Sequence, residues 1–220
     1  MSRSFRPARP LAARRRRVAA VAVAGTGLLG ASFAAEPDSA RFYRLTLATA
    51  AAWTLGGGIS RVEDTEPRSP VLGPVLIGAG TFAVFYGCGL ISRRIPFLRR
   101  AITSVLSYAE QGPTPRVLLI TLANGAAEEI FFRGAVYSVA GRHPVLVSTG
   151  IYACTTAATR NPALVLASVL MGTLFGLQRR ATGGIQAPLL THLTWSALIL
   201  HYLPPLFRDR SRTDPSDRLA

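Results

Sequence analysis

The sequence predicts an all-α fold, a polytopic transmembrane bundle of about six to eight membrane helices. Three observations carry that expectation. Nearly half of the 220 residues are apolar (49%), those residues gather into seven long runs, and arginines collect at the ends of the runs as positive-inside anchors do. The formal charge of +14 comes entirely from arginine, with no lysine in the chain. A nucleic-acid surface would interleave basic and aromatic residues on one folded face. The distribution here instead makes the lipid bilayer the expected partner, and no nucleic acid. Arginine-only basicity with many Ala, Gly and Val residues fits a GC-rich genome, so a multi-pass protein of a bacterial inner membrane is expected.

Residues 1–17 hold seven arginines and read as a basic cytoplasmic segment leading into the apolar run Val18–Ala35. A cleaved signal peptide fits the same template. The later spans favour an uncleaved anchor, because a polytopic chain needs no separate export signal. The next runs are Leu45–Ile59 and Val71–Ile91, then Val117–Val139, Val145–Ala158, Ala163–Leu177 and Ile185–Leu203. Several fall short of the ~20 residues a perpendicular helix needs, which predicts tilted, kinked or re-entrant segments. Pro67, Pro70, Pro113, Pro115, Pro144, Pro162 and Gly183-Gly184 mark the connections. Pro96–Glu110 sets Arg99 and Arg100 beside Phe97, Leu98, Ile102, Val105 and Leu106, the pattern of an amphipathic helix at the membrane surface.

If all seven runs crossed from a cytoplasmic N-terminus, Arg93, Arg94, Arg99, Arg100 and Arg116 would lie outside, against the charge rule. An even number of crossings before Arg93 removes the conflict. Six crossings follow, or eight with two more spans. The chain then divides into a basic segment (1–17), N-terminal membrane helices with their amphipathic connection (18–113), a core (114–206) and a polar, disordered tail (207–220). Cys88 and Cys154 have no metal-ligand or disulfide spacing and read as small buried fillers.

Between Gln111 and Phe207 there are only two acidic residues, Glu128 and Glu129. A carboxylate at membrane depth costs about 2.5–3.5 kcal/mol on insertion scales unless it is paired, protonated or wet, so such a pair points to chemistry. On a helix Glu129 and Arg133 share a face and can form a charge-assisted pair. Glu128 points about 100° away, with Asn124 one turn before it on the same face. One glutamate can thus be structural while the other faces a polar cavity and activates water. The blander account is that both lock helices together through arginine.

The run Glu128-Glu129-Ile130-Phe131-Phe132-Arg133-Gly134 resembles the EExxxR signature of the CPBP family. These intramembrane proteases include type II CaaX prenyl endopeptidases and bacteriocin-processing and self-immunity proteins. A second similarity runs from Phe175 through Thr182-Gly183 to His192, and together the two cover about residues 114–203. The resemblance implies an intramembrane endopeptidase in which a motif glutamate activates water or binds a divalent metal such as zinc. The substrate would be a membrane-associated peptide or protein. It also implies Glu128, Glu129, Arg133, His192 and Ser196 as catalytic positions, with His192 and Ser196 on the oxyanion, while Asn124, on the face of Glu128, and Thr156 are expected as substrate-binding positions.

Two positions depart from the family pattern. Tyr152-Ala-Cys-Thr-Thr156 stands where FxxxH is expected, so Thr156 replaces the first histidine. Ser196 replaces the Asn or Asp four residues after His192. A hydroxyl can still donate to an oxyanion, but threonine neither binds zinc well nor takes a proton near neutral pH. A tight zinc site would lack a ligand unless His143 or His201 moved in. The alternative reading is therefore a catalytically inactive, protease-like membrane binding or scaffold protein. A small transporter or proton relay comes third, since the chain shows no matching halves.

Overall fold

The computed structural model describes residues 11–59, 70–112 and 114–208. The arginines of residues 1–10, Pro67, Pro113 and the tail from 209 onward lie outside the described residues. The described residues form helices α1 (Leu11–Phe33), α2 (Ala40–Ile59), α3 (Leu72–Ser92), α4 (Pro96–Glu110), α5 (Thr114–Glu128), a π-helical segment (Glu129–Val136), α6 (Tyr137–Val139), α7 (Pro144–Thr156), a 3-10 turn (Ala157–Thr159), α8 (Pro162–Thr182), α9 (Gln186–Tyr202) and α10 (Pro204–Phe207). No strand occurs among them. The fold is an all-α bundle.

Helix ends follow local chemistry. Pro96, Pro144 and Pro162 each sit in the first turn of their helices, where the missing N–H has no intrahelical partner to lose. Asn161 caps α8 by accepting from the N–H groups of Ala163 (3.0 Å) and Leu164 (3.2 Å), and its amide donates to the Ala101 carbonyl at 2.8 Å. One residue thus starts α8 and ties it to α4. Gly183 ends α8 at φ 73°, a left-handed conformation that only glycine adopts without steric cost.

The π-helical segment lies at the centre, packed by α2, α5, α7, α8 and α9. Six of its eight residues are buried. Burial on nearly every side explains why Ile130, Phe131, Phe132, Ala135 and Val136 leave no polar face there except the one carrying Glu129 and Arg133. Trp53 of α2 is fully buried, stacked on Phe131 at 4.7 Å and tilted against Phe132 at 5.2 Å. Around this cluster α1 packs on α2 and α7, α3 on α9, and α7 on α8. A second cluster of Ala35, Phe42 and Ile120 with Tyr108 closes one end. The Tyr108 hydroxyl lies 2.8 and 2.9 Å from the carbonyls of Phe33 and Ala35. Burial pushes that phenol above its ordinary pKa, so it stays protonated as a donor.

Helices α3 and α8 are long and apolar enough to cross a membrane. Fewer helices meet that measure than there are apolar runs, because α1 carries Arg14 to Arg17 in its first turns and α7 has only 13 residues, roughly 20 Å of rise. Two sequence expectations are corrected. Cys88 and Cys154 are exposed, because the outward faces of these helices are as apolar as the inward ones and an apolar context does not mean burial. The helix carrying the two glutamates is not a regular α-helix either, but widens into π-helix at Glu129.

Candidate functional site

The two glutamates separate at the α5–π junction. Glu129, 0% exposed, points inward. One of its oxygens, Oε1, accepts from His192 Nδ1 at 2.9 Å. Its other oxygen lies 3.5 Å from Arg133 Nε, an ion pair at four-residue spacing. An ionised carboxylate can only accept, so the proton on this side of the imidazole sits on Nδ1. The other ring nitrogen, Nε2, faces Gly125 of α5, where a Cβ would come within 3.4 Å. Glycine at that position leaves Nε2 open toward the space beside α5.

Arg133 is also fully buried. Its guanidinium lies 4.8 Å from the Tyr152 ring centre and 5.1 Å from that of Phe175, and its nitrogens make no hydrogen bond among the described residues. Two aromatic faces and one carboxylate stand in for water around this charge. Its carbonyl accepts from Arg179 Nε at 3.1 Å, which ties α8 to the π-helical segment.

Glu128 turns the other way. Its Oε1 accepts from the Asn124 amide at 3.1 Å, and its Oε2 from the Tyr152 hydroxyl at 2.7 Å. This carboxylate lines a cavity of about 250 Å³, together with Asn124, Tyr152, Thr156, His192 and Ser196. The remaining wall is mostly apolar and includes Phe33, Phe42, Leu106, Met171, Trp195 and Ile199. An apolar chamber with a few convergent polar groups at one wall is the usual form of a small-molecule or peptide site.

The polar wall has a supporting layer. Phe175 stacks on the His192 ring at 4.8 Å and fixes its plane. Immediately before His192, Thr191 accepts from Gln178 at 2.7 Å and donates to the Pro74 carbonyl at 3.0 Å, so α9 is held against α3 and α8. Ser196, 5% exposed, follows His192 by one turn on the cavity side. The Thr156 hydroxyl donates to the Tyr152 carbonyl of its own helix at 2.9 Å, which leaves it a poor partner for a ligand.

All seven residues singled out from the sequence therefore fall in one region. Six of them border the cavity or its buried ion pair directly through α5, α9 and the π-helical segment, and Thr156 of α7 borders it with its proton already used. His143 sits at the exposed start of α7 and His201 on the exposed end of α9, and neither lines the cavity. Tyr152 was missed as a partner of Glu128, because in sequence it reads only as a substitute for phenylalanine. The hint was available: the substitution adds one hydroxyl on the face that also carries Thr156.

The donors do not fit a resident zinc ion. His192 Nδ1 and one Glu129 oxygen are spent on each other, both Glu128 oxygens already accept hydrogen bonds, and Thr156 offers no imidazole. No cluster of three or more His, Cys, Asp or Glu able to hold a metal occurs among the described residues, whereas zinc asks for at least three such ligands.

Residues 110–198 match the family model described as Type II CAAX prenyl endopeptidase Rce1-like. The match contains Asn124, Glu128, Tyr152, Thr156, His192 and Ser196 of the cavity wall, while Thr46 and Tyr108 of that wall and helices α1 to α3 fall outside it. No curated protein matches the chain, and no solved structure does.

Proposed function

We propose that this chain, whose residues 110–198 match the family model described as Type II CAAX prenyl endopeptidase Rce1-like, is a multi-pass intramembrane endopeptidase hydrolysing a peptide bond in a membrane-associated substrate. The observation that carries the reading is that Glu128 and His192, from different helices, border one cavity whose remaining wall is mostly apolar.

The chemistry follows from the hydrogen bonds. Asn124 and Tyr152 each donate to one Glu128 oxygen, which orients the carboxylate without neutralising it, so it can take a proton from water entering the cavity. The resulting hydroxide attacks the scissile carbonyl. His192, held by Glu129 and stacked on Phe175, presents Nε2 to the same space. As an imidazolium stabilised by the Glu129 carboxylate, it donates to the tetrahedral oxyanion, with the Ser196 hydroxyl as a second donor. The proton held by Glu128 then passes to the leaving amine. Arg133 is the ion-pair partner of Glu129 and takes no proton. Protein hydroxyl, amide, imidazole and carboxylate groups supply each of these steps.

The apolar cavity wall suits a substrate segment with apolar side chains or a lipid-modified end. The test is proteolysis by the purified full chain in detergent, supplied with membrane-anchored peptide substrates. Wild type cleaves, and Glu128→Gln does not while its helical circular dichroism is unchanged. Equal cleavage by the two proteins removes Glu128 as the base.

One observation favours a second reading, a membrane binding protein with the protease fold and no hydrolysis. Thr156, where the family carries its first histidine, uses its hydroxyl within its own helix. Thr156→His distinguishes the two readings: cleavage by that variant alone makes the natural chain a non-enzyme.

A further inference from the structure

A second concavity lies at the corner where α3 gives way to α4, and it shares no lining residue with the cavity of Glu128. Its volume is about 610 Å³, and Arg93, Arg94, Arg99, Arg100, Ser104 and Ser107 form most of its wall. No acidic side chain lines it among the described residues. The nearest acid along α4, Glu110, is bound by Arg208 at 2.7 Å. The guanidinium groups of Arg93, Arg94 and Arg100, within eight residues of one another, repel, and an anion bound among them relieves that repulsion.

The position of the groove says which anion. Helix α3 is long and apolar enough to cross a membrane and ends at Ser92, so Arg93 and its neighbours come at the depth where phosphate headgroups lie. Interleaved with these arginines along the chain, Ile91, Ile95 and Phe97 are exposed at 65%, 44% and 65%. An apolar lip next to a basic hollow matches an amphiphile with a phosphate head and acyl tails. A free phosphate would use the arginines and gain nothing from the lip. Phe207 of α10 closes one side of the groove and is itself buried, so the hollow has a fixed floor.

We propose that this groove binds the phosphate headgroup of an anionic phospholipid, with the acyl chains lying along Ile91, Ile95 and Phe97. The site makes the α3–α4 corner an anchor that fixes α4 at the membrane surface, and it does not depend on whether the other cavity hydrolyses peptides.

The test is lipid titration of the full chain in a neutral detergent by native mass spectrometry. The probes are phosphatidylglycerol, phosphatidylcholine with the same acyl chains, and inorganic phosphate. Phosphatidylglycerol is expected to bind about tenfold or more tighter than phosphatidylcholine, and Arg94→Gln with Arg100→Gln to weaken it by more than about tenfold, since each surface arginine contributes roughly fivefold toward an anionic lipid. Arg94→Lys with Arg100→Lys keeps most of the affinity. Arg142→Gln with Arg180→Gln, exposed arginines outside the groove, changes nothing. If the glutamine pair lowers the unfolding temperature of the lipid-free protein, Arg100→Gln alone makes the same comparison with a roughly fivefold loss. Equal binding of the two lipids, or phosphatidylglycerol binding untouched by the groove variants, overturns the proposal. Inorganic phosphate binding as tightly as phosphatidylglycerol overturns it as well, because the site then recognises a free anion.

Discussion

The carboxylate of Glu129 lies 2.9 Å from Nδ1 of His192 across the α9 interface while its second oxygen faces Arg133 at 3.5 Å. One fully buried anion thus links an imidazole at the cavity wall to a buried cation for which it is the one ion-pair partner within 4 Å among the described residues. Removing the anion and removing the imidazole should have different consequences. Glu129→Gln leaves Arg133 buried and uncompensated, a defect that costs about 3–5 kcal/mol. His192→Ala leaves the ion pair intact, so its stability loss should be much smaller while proteolysis disappears. Thermal unfolding in detergent run beside a cleavage assay separates the two, and equal destabilisation by both variants would contradict the assigned geometry.

Tyr152→Phe removes one hydroxyl and keeps the ring that packs on Phe132 at 4.9 Å and covers Arg133. A hydrogen bond to a charged group is worth about 1.5–3 kcal/mol. If Tyr152 orients Glu128 for attack, cleavage should fall roughly tenfold to a hundredfold with the unfolding temperature nearly unchanged. Full activity in Tyr152→Phe would show that Asn124 alone suffices to hold the carboxylate.

Gly125→Val would put methyl groups against His192 Nε2, where even a bare Cβ comes within 3.4 Å. The expected result is loss of cleavage with the bundle retained, measured by activity and circular dichroism on one preparation. Retained activity would mean that Nε2 takes no part in the reaction.

Trp53→Ala probes the packing beneath the site. The indole is fully buried against Phe131 and Phe132, and truncating a buried aromatic costs about 3–5 kcal/mol. Because Phe132 also packs on Tyr152, cleavage should fall along with stability. A change below about 1 kcal/mol would contradict the core described above.

Much of the helical layout was legible in the sequence, because apolar runs bounded by proline and glycine carry their own punctuation. The helix read over Pro96–Glu110 is found with the same bounds, and Asn124 does sit one turn before Glu128 and bonds to it. The π-helical widening at Glu129 was not legible, since nothing in the residues from Glu129 to Val136 departs from an ordinary amphipathic pattern. What selects it is tertiary: several helices press on one segment at once. The exposure of Cys88 and Cys154 was hidden for a related reason. In a bundle whose outside is apolar, hydropathy marks the span but not its inward face. The Tyr152–Glu128 bond depends on how α7 leans on α5, an interhelical distance that no spacing along the chain encodes.

The decisive measurement is turnover of a membrane-anchored peptide by the purified wild-type chain and by Glu128→Gln, with folding checked on the same samples. Cleavage by the wild type and none by the folded glutamine variant is the predicted result. Undiminished cleavage by Glu128→Gln would contradict the role of this carboxylate in activating water.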